Sequence, residues 1–287
     1  MDDRPYDIGI DVGSISTKVL ILREGEEVVD RTKRATSMEP GKLAGRMVDE
    51  LLRENGIRKE EVMHTVSTGQ GRKSVDFADI QRTEITAFSK GAVHIDPDVE
   101  VVVDIGGQGI RIMKIGEMGI ISDFRTNDKC SSGTGCFLDA MANALEVGVE
   151  NSGKMAMGSD NPERVYNTCT VFAESEVVSL MAKGKSKQDI LAGLNSMVAR
   201  KIGAMINSVG SSGKVMAAGG GSNNTRVISG TRKVTQRDIL VPEDPQYLGA
   251  LGAARISTRN DSDRPVESGP GTERKKGLVG FLRRVLT

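Results

Sequence analysis

The sequence predicts an α/β protein built from two related halves, and two observations carry that expectation. IGIDVGSISTKVLIL near residue 8 and VVVDIGGQGIRIMKI near residue 101 share one plan. In each, an apolar strand ends in Asp-x-Gly, small residues make a turn, and a basic residue opens the next strand. Segments of strand-like and helix-like apolar spacing also succeed one another along the chain, as layered α/β folds require. A repeat this distant points to duplication, not to a solenoid.

Taken in order, YDIGIDVGS alternates and stops at Gly13, which predicts a strand and a tight turn. Thr17–Leu22 and Glu27–Val29 continue the β pattern, with REGEE between them. Over 41–55, Leu43, Met47, Leu51 and Leu52 fall at helical spacing, and Gly56 supplies a terminator. Residues 62–68 predict a short strand ending in TGQG, and Glu84–Val93 a helix. EVVVDIGGQGIRIMKI predicts two antiparallel strands joined by a glycine turn. Helices are expected over Phe137–Leu145 and Val171–Met181. The clearest is Ile190–Val209, whose apolar residues form one stripe. KVMAAGGGSNN reads as a strand entering a triple-glycine turn, and PQYLGALGAARI as a closing helix.

The 287 residues carry 39 Lys plus Arg against 39 Asp plus Glu, so no global field favours nucleic acid or an anionic membrane. With no Trp and 3% aromatics, base-stacking platforms are not expected either. No apolar run approaches the roughly 20 residues that span a bilayer. The acidic start MDDRPYDIGI is unlike a signal peptide. Three cysteines in such a chain suggest a reduced compartment, and the expected location is cytoplasmic. From about residue 257 the composition turns to STRNDSDRPVESGPGTERKKG, so 257–287 reads as a flexible basic tail.

A phosphate held between two hairpin turns needs several inward-pointing backbone N–H groups, which only small residues allow. Gly13, Ser14, Ser16 and Thr17 meet this need in the first turn, and Gly106, Gly107 and Gly109 in the second. Lys18 follows the first turn and can neutralise a phosphate oxygen. Asp11 and Asp104 end the two strands, where a carboxylate holds Mg²⁺ through its waters. Gly219, Gly220 and Gly221 leave a flat wall against which a nucleoside can lie. Neither GxxxxGK[ST] nor GxGxxG occurs, which counts against P-loop ATPases and dinucleotide dehydrogenases.

This order of elements, over roughly residues 6–256, resembles the acetate kinase, sugar kinase, Hsp70 and actin superfamily. The resemblance implies two duplicated actin-like (ribonuclease H-like) domains, with ATP in a cleft between them. The expected division is 1–100 and 101–256. Within the superfamily, DVGSISTK, DIGGQ, NDKCSSGTG, CTVFAESEV and PQYLGALGAA resemble one branch more closely. That branch holds the ATP-dependent activators of 2-hydroxyacyl-CoA dehydratases and the ATPase subunits of benzoyl-CoA reductase. In it, two cysteines per chain ligate one [4Fe–4S] cluster shared across a dimer axis. Carried over by position, these are Cys130 and Cys169. A cluster of this type takes four thiolates, which three cysteines in one chain cannot supply and a two-fold dimer can. Each of the two cysteines also precedes a predicted helix, whose free N–H groups favour thiolate and cluster charge. Cys136 falls inside the helix and is expected to pack.

The resemblance implies an iron–sulfur ATPase that couples ATP hydrolysis to transfer of a single low-potential electron. Asp11, Asp104 and Lys18 would organise Mg²⁺ and phosphates, and Gln108 would position the attacking water. A ferredoxin or flavodoxin would supply the electron, and a dehydratase or reductase component would receive it from the homodimer. Departures from the family pattern are Gly109, where an acid is usual, the form of AAGGGSNN, and Cys136 in place of a larger polar residue. Glu84 opens a segment that either lines the cleft or lies on a helix surface. The alternatives are a benzoyl-CoA reductase-type subunit, a small-metabolite kinase of the same fold, and a non-catalytic nucleotide sensor. No motif supplies the base or the substrate-binding residues of a kinase.

Overall fold

In the computed structural model, residues 5–116, 119–127, 134–166 and 169–257 are described. The chain opens with an antiparallel meander of β1 (Tyr6–Val12), β2 (Ser16–Arg23) and β3 (Glu27–Ala35). Helix α1 (Pro40–Glu54) then crosses over to β4 (Val62–Thr68), which runs parallel to β1. The short β5 (Ile80–Gln81) completes a sheet of order β3-β2-β1-β4-β5.

After α2 (Glu84–Ile95) the plan repeats. Antiparallel β6 (Val99–Ile105), β7 (Ile110–Ile115) and β8 (Ile121–Thr126) are joined by β9 (Lys214–Ala218) and β10 (Ile239–Leu240), both parallel to their neighbours. The order β10-β9-β6-β7-β8 matches the first sheet strand for strand. Between β8 and β9 lie α3 (Gly135–Ala144), α4 (Val149–Met157), α5 (Thr170–Ala182) and α6 (Lys187–Ser208). Helix α7 (Thr225–Thr235) follows β9, and α8 (Leu248–Ser257) ends the described chain.

Local chemistry accounts for the predicted elements. Pro40 begins α1, where its missing N–H has no partner to lose. Leu43, Met47, Leu51 and Leu52 pack on Ile8, Ile10, Val19 and Ile21. Burying each such side chain is worth about 1.5–3 kcal/mol, more than helix propensity alone provides. Gly56 takes a φ of +66°, so it ends the helix in the left-handed conformation as its position suggested. The Ser186 hydroxyl accepts from the Asp189 amide and caps α6. The stripe Ile190, Leu194, Val198, Ile202 and Ile206 lies at the centre of the largest apolar cluster.

Other elements escape the pattern for physical reasons. In α4 the buried residues are Ser152, Gly153 and Ala156, which carry no apolar signal. β3 extends six residues beyond Val29 because it is a polar, largely exposed edge strand. In α7 only Val227, Ile228 and Thr231 are buried, and all three are β-branched.

The two sheets exchange a helix. α2 packs Phe88 and Ala92 against Val102, Met113 and Met216 of the second sheet. α8 packs Ala250, Leu251 and Ala254 against Leu20 and Leu22 of the first. The two helices also meet each other, with Ala87, Ala253 and Ile256 beside Val66. The spacing of small residues in LGALGAA makes this possible. A Cβ on Gly252 would lie 1.7 Å from the Ala87 carbonyl oxygen.

Candidate nucleotide-binding cleft

A cavity of about 570 Å³ opens between the sheets, within the range of small-molecule sites. The first turn presents Gly13, Ser14 and Ser16 to it, and the second presents Gly106, Gly107 and Gln108. Gly219, Gly220 and Gly221 form a third side, and Asp11, Lys18 and Asp104 line the floor. These residues, far apart in sequence, face one space because β1 and β6 occupy equivalent places in their sheets. Thr17 does not line the cavity. Its buried hydroxyl lies 3.0 Å from the Thr36 hydroxyl, which donates to the Gly13 carbonyl, so Thr17 braces the first turn from behind.

The duplication extends to charge. Asp11 and Lys18 are cross-strand partners, and the Lys18 Nζ lies 3.1 Å from the Asp11 Oδ2. Asp104 and Arg111 stand in the same relation, with Nη1 2.9 Å from Oδ2. The tight turn thus places each strand-end acid beside the cation that opens the next strand. Behind Asp11, the buried Thr68 hydroxyl has no hydrogen-bond partner among the described residues, and Thr68 is the register neighbour of Asp11. Two carboxylates lining one cleft fit a hydrated Mg²⁺. Gly219 has a φ of +80°, and a Cβ there would lie 2.4 Å from the Asp104 Oδ1. Only glycine lets the third wall approach that carboxylate.

Burial pushes the Asp104 carboxyl up to about 6; the Arg111 charge opposes the shift and the Asp11 charge adds to it. An aspartate ordinarily titrates near 4. Between pH 4 and 6 the folded protein therefore keeps a proton that the unfolded chain releases, and stability falls as pH rises through that window. Above it the carboxylate is ionised and available to a cation. The expected result is a MgADP-induced rise in melting temperature that is larger at pH 7.5 than at pH 5.5, by the roughly 0.8 kcal/mol that a fourfold change in the ionised fraction of Asp104 carries. In Asp104→Asn the rise should be small at both values. Equal rises in the wild-type protein would contradict the assignment.

The structure adds several residues to the cleft and places one that the sequence left open. Glu84, in the first turn of α2, points into the cleft and lies 3.3 Å from the Arg111 Nη2, which decides between its two sequence readings. Glu150 and Lys154 line the cavity from α4, four residues apart on one helix face. Asp139 lines it from α3, and burial raises its carboxyl. Asn223, Asn224 and Gln246 complete the glycine side. The start of α3 is attached to the second turn, because the Gly135 and Cys136 amides donate to the Gly106 and Gly107 carbonyls, both at 2.9 Å. Across the cavity, Ile15 of the first turn touches Gly107 of the second, so the two turns are in contact.

Of the predicted cluster ligands, Cys130 lies outside the described residues. Cys169 is the exposed N-cap residue of α5. Its thiol is accessible to a second chain, and the α5 N–H groups favour negative charge beside it. Tyr166 and Phe172, three residues to either side in sequence, are 73% and 62% exposed. Cys136 is half-buried in the first turn of α3, where burial and Asp139 push its thiol up and away from thiolate character. Among the described residues, no group of three or more His, Cys, Asp or Glu side chains is arranged to hold a metal ion. No described helix is long and apolar enough to cross a membrane.

Residues 8–257 match the BadF/BadG/BcrA/BcrD ATPase family. The (R)-2-hydroxyglutaryl-CoA dehydratase activating ATPase of Acidaminococcus fermentans is 40% identical over 87% of this chain and 95% of its own length. The crystal structure of component A of that dehydratase, from the same organism, superposes with a TM-score of 0.84 at 38% identity, covering 88% of this chain and 97% of that one. An activator of the 2-hydroxyisocaproyl-CoA dehydratase from Clostridium difficile, solved with bound ADPNP, gives a TM-score of 0.83 at 34% identity. It covers 88% of this chain and 94% of the other.

Proposed function

The chain belongs to the BadF/BadG/BcrA/BcrD ATPase family, and on that premise we propose that it hydrolyses MgATP in the cleft and uses the energy to deliver low-potential electrons to a dehydratase-type partner. The observation that carries the first part is the duplicated pair of acid-ended turns facing one cavity. Asp11 and Asp104 hold the waters of Mg²⁺. Lys18 and the backbone N–H groups of Ser14 and Gly107 receive the phosphates, while the Gly13 and Gly106 amides close their turns on the Ser16 and Gly109 carbonyls. Gln108 orients the attacking water, and the nucleoside lies along Gly219–Gly221. Residues 1–100 and 101–256 act as the two lobes in chain order, with α2 and α8 packed between the sheets.

The second part rests on Cys169 and on the named activities of the relatives. A [4Fe–4S] cluster held by Cys130 and Cys169 from each of two copies would store one electron for transfer. The exposed Cys169 at the start of α5, flanked by exposed Tyr166 and Phe172, suits such a two-fold contact. A ferredoxin or flavodoxin would donate the electron, and the reduced, cytoplasmic setting suggested by the cysteine content suits this chemistry.

Anaerobic purification followed by iron and sulfide analysis, EPR of the reduced protein and an ATPase assay tests both parts. About two irons and two sulfides per chain, in a dimer that hydrolyses ATP, are expected for a shared cluster. A colourless, iron-free monomer prepared without oxygen would leave the ATPase and remove the electron transfer.

A further inference from the structure

The geometry points to Arg111 as a catalytic cation for phosphoryl transfer, with Glu84 as the residue that positions it. This inference rests on the ATP-hydrolysing reading above and assigns a role which that reading leaves open.

Arg111 lies in the cavity wall beneath the second turn, with its side chain 12% exposed. A Cβ built on Gly106 would be 3.9 Å from its Nη1, so the guanidinium lies directly beside the turn that offers N–H groups to phosphate. Its two outer nitrogens are directed differently. Nη1 meets Asp104 at 2.9 Å, and Nη2 meets Glu84 at 3.3 Å.

The two halves differ at this pair. Lys18 and Asp11 reproduce the cross-strand pair of Arg111 and Asp104. Among the described residues Lys18 has Asp11 as its carboxylate partner, whereas Arg111 has a second carboxylate brought from α2. A pair needed only to keep Asp104 in place would be complete without Glu84. A planar guanidinium held at one end by Glu84 keeps its orientation when Asp104 turns to the waters of a cation. Once Asp104 has turned away, Nη1 can turn to a phosphate oxygen beside Gly106.

In hydrolysis a water oxygen bonds to the γ-phosphorus and the bond to the β–γ bridging oxygen breaks. ADP leaves with that oxygen, and the water's proton passes to the inorganic phosphate. Negative charge grows on the bridging and equatorial oxygens as this happens, and a fixed cation there lowers the barrier more than it strengthens ground-state binding. Glu84 acts through Arg111 and touches no substrate.

The test compares Arg111→Gln, Arg111→Lys, Glu84→Gln and the Arg111→Gln/Glu84→Gln pair in the purified full chain. Arg111→Gln should lower kcat for ATP hydrolysis by about 10- to 100-fold and weaken MgADP–aluminium fluoride by a similar factor. Its affinity for MgADP should stay within about threefold of wild type, which also reports that the variant is folded. Arg111→Lys should recover kcat to within about fivefold, because the charge returns without the fork. Glu84→Gln should lower kcat by about 3- to 10-fold, and the pair should be no slower than Arg111→Gln alone. Loss of MgADP affinity in step with kcat would reduce Arg111 to a prop for Asp104 and overturn the inference. So would an Arg111→Gln enzyme within twofold of wild-type kcat. A wild-type chain that hydrolyses no ATP would overturn the underlying reading, and this inference with it.

Discussion

If the proposed shared cluster is present, Cys169→Ala is expected to abolish iron binding while leaving the melting temperature almost unchanged. Cys169 is exposed and its side chain makes no capping hydrogen bond, so its removal leaves no cavity and no orphaned polar group. Surface substitutions of this kind stay within about 0.5 kcal/mol. The functional cost follows from stoichiometry. One lost thiolate per chain is two lost from a four-thiolate site shared by two chains, which is more than a cluster tolerates. Iron analysis after anaerobic purification should then fall to background, while MgADP binding persists because the residues lining the cleft do not include Cys169. Full iron retention would remove Cys169 from the ligand set.

The largest effect on stability is expected at Gly252, with Gly252→Ala costing about 2–4 kcal/mol. The added Cβ would lie 1.7 Å from the Ala87 carbonyl oxygen, 2.6 Å from its carbonyl carbon and 2.7 Å from the Gly91 amide nitrogen. All three are backbone atoms of α2, so no side chain can rotate aside. The helices must separate, and they are the pair packed between the two sheets. For a chain of this size the loss corresponds to a fall in melting temperature of roughly 3–7 °C. Gly184→Ala is the control. Its φ of +76° carries strain, but nothing lies within 4 Å, and about 1 kcal/mol is expected there. Scanning calorimetry of the two variants separates the effects. A Gly252→Ala protein melting within 2 °C of wild type would mean that α2 and α8 are not tightly coupled.

The parts of the cleft that could be read from the sequence are those made by consecutive residues. Asp11 with its turn and Lys18, and Asp104 with its turn, are each contained in fewer than ten residues. The triple glycine after β9 was visible for the same reason, as was the stripe of α6. What could not be read has two causes. α4 carries no apolar periodicity because its buried face is Ser152, Gly153 and Ala156, so Glu150 and Lys154 had no element to place them. Arg111 was visible as the basic residue opening a strand, but its second carboxylate comes from a helix 27 positions earlier, and no local pattern links the two.

The sequence alone determined that this protein is a duplicated α/β fold of a known ATPase family. Strand alternation, turn chemistry and helical stripes are short-range consequences of backbone geometry, and here they agree with one another. Tertiary structure alone decided which residues share a space. The exchange of α2 and α8 between sheets, the contact of Ile15 with Gly107, the support of Arg111 by Glu84 and the withdrawal of Thr17 behind the first turn all depend on how close two backbones can pack. That distance is set by side-chain volume at positions far apart in the chain, where a missing Cβ at Gly252 or Gly219 matters more than any local propensity.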